Sequence, residues 1–183
     1  KEFYRGGYTL TNFDNTFSGK VTLKDALIRS LNIPALKALE KVGPELFESE
    51  ITTLLGNALT EGQNAGLSLA VGGYYLSAEQ LIDLYLKAFD PNTASKLTFV
   101  HDPSEVSSES DAPLFNQETA DQLLHLLIQD MPNGEKVAFK TGTSYARQDA
   151  WSVQIYEDHL VLAWFGTPDN EATELLTGRN AAF

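Results

Sequence analysis

Apolar residues recur at helical spacing through most of the first 130 positions and then gather into strand-like runs, so the chain reads as helices followed by a small sheet. Thr22 with Asp25 has the spacing of a capping box, and Leu23, Ala26, Leu27 and Leu31 continue at a helical period. This predicts a helix ending near Ser30. Pro34 disfavours helical geometry at Ile33, so the second helix is expected from Ala35 to Val42, closed by Gly43, with Ser30-Leu31-Asn32 at the junction. Asn32 there suits a helix cap as well as a site residue. Pro44 fits the first position of a third helix, whose stripe Leu46, Phe47, Ile51, Leu54 and Leu55 is expected to face the core and to stop at Gly56. Ser77 with Gln80 begins a helix through Phe89, and Asn116 caps another in which Leu123, Leu124, Leu127 and Ile128 give the clearest period of the chain. Pro132-Asn133-Gly134 is expected to end it. Between these helices, residues 90–113 turn polar and predict a mobile loop, with room for a short strand at Leu97, Phe99 and Val100.

Past Gly134 the pattern predicts three antiparallel strands, Val137–Ser144, Trp151–Tyr156 and Leu160–Phe165, the last two joined by a tight turn at Glu157-Asp158. Leu160 to Phe165 is apolar on both faces, which places it centrally in the sheet with helices on each side. The result is an α+β chain. Its 183 residues, 43% hydrophobic and 21% charged, suffice for one domain: a helical part over about 20–132 and a strand part over about 136–166. A net charge of -12 argues against a nucleic-acid backbone or an anionic membrane surface as partner. With no cysteine, disulfides are excluded, though the compartment stays open. No apolar run approaches the roughly 20 residues of a membrane helix, and no signal peptide is expected at the start. His101, His125 and His159 lack ligand spacing, so neither a metal nor another cofactor is expected. Gly6-Gly7 and Gly72-Gly73 lack the continuation of a phosphate loop. Trp151, Trp164 and the Tyr74-Tyr75 pair read as core or rim packing.

The candidate chemistry lies in Phe139-Lys140-Thr141-Gly142-Thr143-Ser144. On a strand, Lys140 and Gly142 share one face while Thr141 and Thr143 share the other, and glycine lets a ligand backbone come close. A cation, two hydroxyls and a free edge suit a carboxylate. Lys-Thr-Gly alone is weak, but Ser30-Leu31-Asn32 upstream supplies a Ser-x-Asn pattern in the order found in serine penicillin-recognising enzymes.

Together with the runs Val21–Ala35, Gly66–Gly73, Asp149-Ala150-Trp151 and Leu176-Thr177-Gly178-Arg179, these motifs resemble the transpeptidase domain of class A penicillin-binding proteins of the 1c type, from about Tyr8 to the end. The resemblance implies a penicillin-binding protein/serine beta-lactamase-like fold that is incomplete here, lacking its first strands and nucleophile helix. It also implies acyl transfer: a serine attacks the penultimate D-Ala carbonyl of a peptidoglycan stem, D-Ala leaves, and an amine of a neighbouring stem takes the acyl group. By the same resemblance Lys140, Thr141 and Thr143 recognise the terminal carboxylate, the Thr143 N–H completes an oxyanion hole, Ser30 relays protons and Asn32 holds the substrate amide. Stem peptides and beta-lactams are the implied partners.

No Ser-x-x-Lys occurs among the 183 residues, so the family's nucleophile is missing from this chain. Thr93-Ala94-Ser95-Lys96 follows Ser-x-Asn rather than preceding it and reads as chance. Because residue 1 is lysine, the chain is expected to be a processed or excised piece beginning after the motif, inert alone, whose parent carries an anchor, an extracytoplasmic or periplasmic location and an upstream glycosyltransferase module. The uncovered edge of the last strand is expected to promote self-association. A non-catalytic relative that binds stem peptides or beta-lactams is the alternative. A serine beta-lactamase is a third option, weakened by the lack of a recognisable acidic loop.

Overall fold

In a computed structural model, three helix starts follow caps written in the sequence, those at Thr22, Ser77 and Asn116. The structure describes residues 3–5, 8–12, 17–55, 65–89, 113–144, 147–167, 169, 171 and 176–181. The chain divides into two compact units, 1–75 and 76–183.

In the first unit, β1 (Phe3–Arg5) and β2 (Tyr8–Leu10) form an antiparallel hairpin in a sheet of their own, which the sequence pattern did not predict. Helix α1 (Leu23–Ile28) is capped by Thr22, whose hydroxyl accepts the Asp25 N–H at 3.0 Å and donates to the Asp25 carboxylate at 2.7 Å. Helix α2 begins at Asn32, not Ala35, and runs to Val42. Pro34 therefore lies in the first turn, where a missing N–H costs no intrahelical bond. Ile33, Leu36 and Leu39 of α2 are buried and form the core of this unit with Ala26 and Leu31.

Helix α3 (Pro44–Leu54) starts at its proline as expected, but none of its residues is buried. Leu46 is 57% exposed, which corrects the reading of its stripe as core-facing. Contacts with α2 and with the 3-10 turn Gly66–Val71 leave Ile51, Leu54 and Leu55 half-buried and the other flank open. At the end of that turn Gly72 has φ 92, and a Cβ on Gly73 would collide with the side chain and backbone of Ser68, so both glycines are required.

In the second unit, Ser77 and Gln80 form a reciprocal capping box ahead of α4 (Ala78–Phe89): Ser77 N–H donates to Gln80 Oε1 at 2.9 Å, and Gln80 N–H donates to Ser77 Oγ at 3.2 Å. Asn116 caps α5 (Gln117–Leu127) through the Thr119 N–H. The helix stops at Leu127, earlier than predicted, because Ile128 is extended at ψ 126 and opens a strand. The sheet thus has four strands rather than three: β3 (Ile128–Asp130), β4 (Lys136–Thr143), β5 (Asp149–Tyr156) and β6 (His159–Gly166), antiparallel and in that spatial order. A short helix, α6 (Gly178–Ala181), packs on β4 and β5.

The position of β6 corrects the sequence reading. It is an edge strand of the described sheet, with Val161 53%, Trp164 48% and Phe165 50% exposed. Apolarity on both faces had suggested a central strand. It is β4 and β5 that occupy the middle, and Val137, Ala138, Phe139, Ala150, Ser152 and Val153 are buried there. Residues 90–112 of the loop predicted over 90–113, its short strand included, lie outside the described residues.

Candidate functional site

The strand carrying Lys140, Thr141, Gly142 and Thr143 is the second of the sheet, and its neighbours differ in length. β5 accompanies it from Ala138 to Thr143, whereas β3 pairs only with Lys136, Val137 and Ala138. On the β3 side, no described strand pairs with residues 139–143. Gln129 marks the place where pairing stops, its side-chain amide donating to the Phe139 carbonyl at 3.2 Å. An extended edge of this kind, next to a cation and two hydroxyls, has the donors to hold a carboxylate.

Lys140 is half-buried, and its Nζ donates to the Thr141 carbonyl at 2.6 Å. Gly142 is exposed and lies opposite Trp151; a Cβ added to it would meet Trp151 Cβ at 3.7 Å, an ordinary contact. The fold therefore does not demand glycine at 142. Thr143 Oγ1 accepts the Gly178 N–H at 3.1 Å. The Leu176-Thr177-Gly178 stretch was legible only as part of a family pattern; its contact with Thr143 was not predicted.

Ser144 holds the hairpin together: its Oγ accepts the Asp149 N–H at 2.8 Å and its N–H donates to the Asp149 carbonyl at 3.0 Å. Asp149 in turn accepts the Trp164 indole N–H at 2.9 Å, and the Trp151 and Trp164 rings sit 5.9 Å apart across β5 and β6. The two tryptophans thus pack on each other at the sheet's rim, whereas Tyr75 is 85% exposed, which corrects its reading as core or rim packing.

Ser30 and Asn32 belong to the first unit. Ser30 has φ 51, a left-handed conformation in which glycine is the usual occupant. Its N–H donates to the Leu27 carbonyl at 3.1 Å and the Leu31 N–H to the Ala26 carbonyl at 2.9 Å, the paired bonds of a Schellman turn closing α1. Leu31, buried to 6% exposure, anchors the turn and leaves the Ser30 side chain exposed. Asn32 does not cap α2; the residue at the cap is Leu31. Its amide instead donates to the Thr11 carbonyl at 3.1 Å, while buried Asn12 accepts the Ile33 N–H. Sequence pattern gave no signal for Thr11 and Asn12, since their partners lie 21 residues away.

Among the described residues no cluster of His, Asp and Glu is able to hold a metal, and no helix is long and apolar enough to cross a membrane.

No family model matches the chain. The chain is 32% identical over 169 residues to penicillin-binding protein 1C of Escherichia coli, covering 90% of this chain and 22% of that protein. It is 28% identical over 190 residues to penicillin-binding protein 1B of Haemophilus influenzae, covering 93% of this chain and 24% of that protein. In structure it superposes on the PonA1 protein of Mycobacterium tuberculosis in complex with penicillin V, with a TM-score of 0.70 at 19% identity, over 98% of this chain and 58% of that one. The architecture is therefore the α+β transpeptidase fold of penicillin-binding proteins. In sequence the chain is similar to penicillin-binding proteins, that of the 1C type among them. It spans about a quarter or less of the length of these two curated relatives.

Proposed function

We propose that this chain is part of a peptidoglycan DD-transpeptidase domain that forms a single functional unit, in which the C-terminal end of β4 binds the C-terminal carboxylate of a stem peptide or of a beta-lactam. The observation that carries this reading is the 139–143 stretch of β4, along which no described strand pairs on the β3 side and which carries Lys140, Thr141, Gly142 and Thr143. Lys140 supplies the charge, and the hydroxyls of Thr141 and Thr143 fix the orientation. The Thr143 N–H contributes to the oxyanion hole during acyl transfer. Ser30 relays protons and Asn32 contacts the substrate amide. The serine that attacks the penultimate D-Ala carbonyl is supplied by a Ser-x-x-Lys segment outside these 183 residues. Loss of such a serine lowers the rate on the order of a millionfold, so the chain by itself is inert.

The parent protein is taken to act on the extracytoplasmic side of the bacterial membrane, with a glycosyltransferase module upstream. The outer edge of β6, with its half-exposed Val161, Trp164 and Phe165, supports pairing with a further strand, from the parent or from a second copy.

A fluorescent penicillin tests the reading. The full-length gene product is expected to be labelled covalently, and Lys140→Ala in it to slow labelling by about a hundredfold or more. Full-length protein that takes up no label would discard the transpeptidase assignment and leave a non-covalent binding module.

A further inference from the structure

Gly178 is buried and its N–H reaches Thr143 Oγ1 across 35 residues of sequence. It reaches so far in only because it has no side chain. A Cβ at 178 would lie 2.5 Å from the Gly142 carbonyl oxygen, 2.6 Å from the Trp151 carbonyl oxygen and 2.9 Å from Thr141 Cβ, distances that real Cβ atoms do not adopt. Two of these three neighbours are backbone, so a larger residue has to move either α6 or the strand bearing Lys140–Thr143. By contrast Gly142 meets nothing closer than 3.7 Å, so of these two facing glycines the one the fold demands is Gly178.

A threonine hydroxyl has one proton and two lone pairs. With one lone pair occupied by the Gly178 N–H, a rotamer that turned the proton toward that N–H would set two donors against each other. The proton is thereby directed away from α6 and kept as a donor. A carboxylate accepts on both oxygens and gives no hydrogen bond, whereas the corresponding amide accepts on one atom and donates from the other, so a hydroxyl preset as donor matches either position of the acid but only one of the amide.

From this geometry we propose that Gly178 is a positioning residue that acts through Thr143, fixing its hydroxyl as a hydrogen-bond donor to the carboxylate of the bound peptide or antibiotic. This rests on the carboxylate-binding reading given above. It assigns a site function to the segment Thr177-Gly178, which belongs to none of the recognised catalytic motifs.

The test uses the 15N-labelled 183-residue chain, titrated with an acetylated peptide ending in D-alanyl-D-alanine and with the same peptide as its C-terminal amide. The acid is expected to bind more tightly than the amide and to shift the Thr143 resonance. Gly178→Ala should weaken acid binding about tenfold and narrow the preference for acid over amide, and Thr143→Val should do the same. The double variant should lose no more than Thr143→Val alone, while Thr143→Ser should retain the preference. Amide hydrogen exchange at Gly178 should accelerate in Thr143→Val and not in Thr143→Ser, a measurement that holds even if Gly178→Ala fails to fold. Unchanged acid binding in Gly178→Ala, additive losses in the double variant, or unchanged exchange at Gly178 in Thr143→Val overturns the inference and leaves the carboxylate reading standing. Equal affinity of the parent chain for acid and amide overturns both.

Discussion

Ser30 is fixed by its own helix, through two hydrogen bonds that close the end of α1 on itself, whereas Thr143 is fixed from 35 residues away by the N–H of Gly178. The first arrangement stores its cost locally, as a left-handed φ on a residue with a side chain. The second spreads its cost over packing: α6, β4 and β5 must all be in place for the Thr143 hydroxyl to have its partner. A turn of the first kind survives loosening elsewhere in the molecule. A contact of the second kind depends on the unit around it.

Alkaline pH should separate the two most widely. Burial beside Phe89, 5.8 Å away, pushes the Tyr85 hydroxyl from the ordinary 10.0 up to about 12. Below pH 10 the tyrosine is protonated whether the chain is folded or unfolded, and stability is unaffected. Between pH 10 and 12 it ionises in the unfolded state but stays neutral in the folded one, so stability falls as pH rises, by about 2 kcal/mol over the window. Tyr85 and both tryptophans lie in the second unit. Denaturant unfolding followed by Trp151 and Trp164 fluorescence should therefore show the loss, and Tyr85→Phe should flatten it. Equal pH sensitivity in Tyr85→Phe would break the contrast drawn here.

A smaller effect probes the first unit. Asn32 donates its amide to the Thr11 carbonyl, so Asn32→Asp replaces a donor by a carboxylate facing a carbonyl oxygen. The expected cost is about 1.5 kcal/mol, read as a lower midpoint in far-ultraviolet circular dichroism, with the tryptophan signal of the second unit unchanged. Asn32→Ala, which leaves no repulsion, should cost less. If both variants melt like the parent, Asn32 does not anchor α2 to residues 11–12 in solution.

The features that sequence pattern revealed are those whose cause lies within a few residues. Thr22 with Asp25, Ser77 with Gln80 and Asn116 with Thr119 all cap the helices they were expected to begin. Strand β3 escaped because Ile128 continues the helical period of Leu123, Leu124 and Leu127; what turns it into a strand is its pairing with Ala138 beyond the Pro132-Asn133-Gly134 turn. Pro34 misled in the opposite direction, since the rule against helix before proline is weakest in a first turn. The apolarity of β6 showed that it lies against other elements but carried no information about strand order. The same division holds in the site. Lys140 to Thr143 and Ser30 with Asn32 are short motifs, legible from spacing; Gly178, Thr11 and Asn12 act across 21 to 35 residues and only the folded chain reveals them.

The smallest effect bears most directly on why Ser30 occupies its turn. At the end of α1 the residue with φ 51 would ordinarily be glycine, because a Cβ crowds the carbonyl oxygen that follows. Ser30→Gly relieves that crowding, partly offset by the greater freedom of glycine in the unfolded chain. The net expectation is a gain of roughly 0.5 kcal/mol in the first unit, measured by thermal unfolding, together with slower penicillin labelling of the full-length protein. Serine would then persist at the position against stability, as a group needed for its hydroxyl. Were Ser30→Gly to destabilise the unit, or to label at the parental rate, the left-handed serine would be a structural residue only, and the contrast with Thr143 would be one of architecture without chemistry.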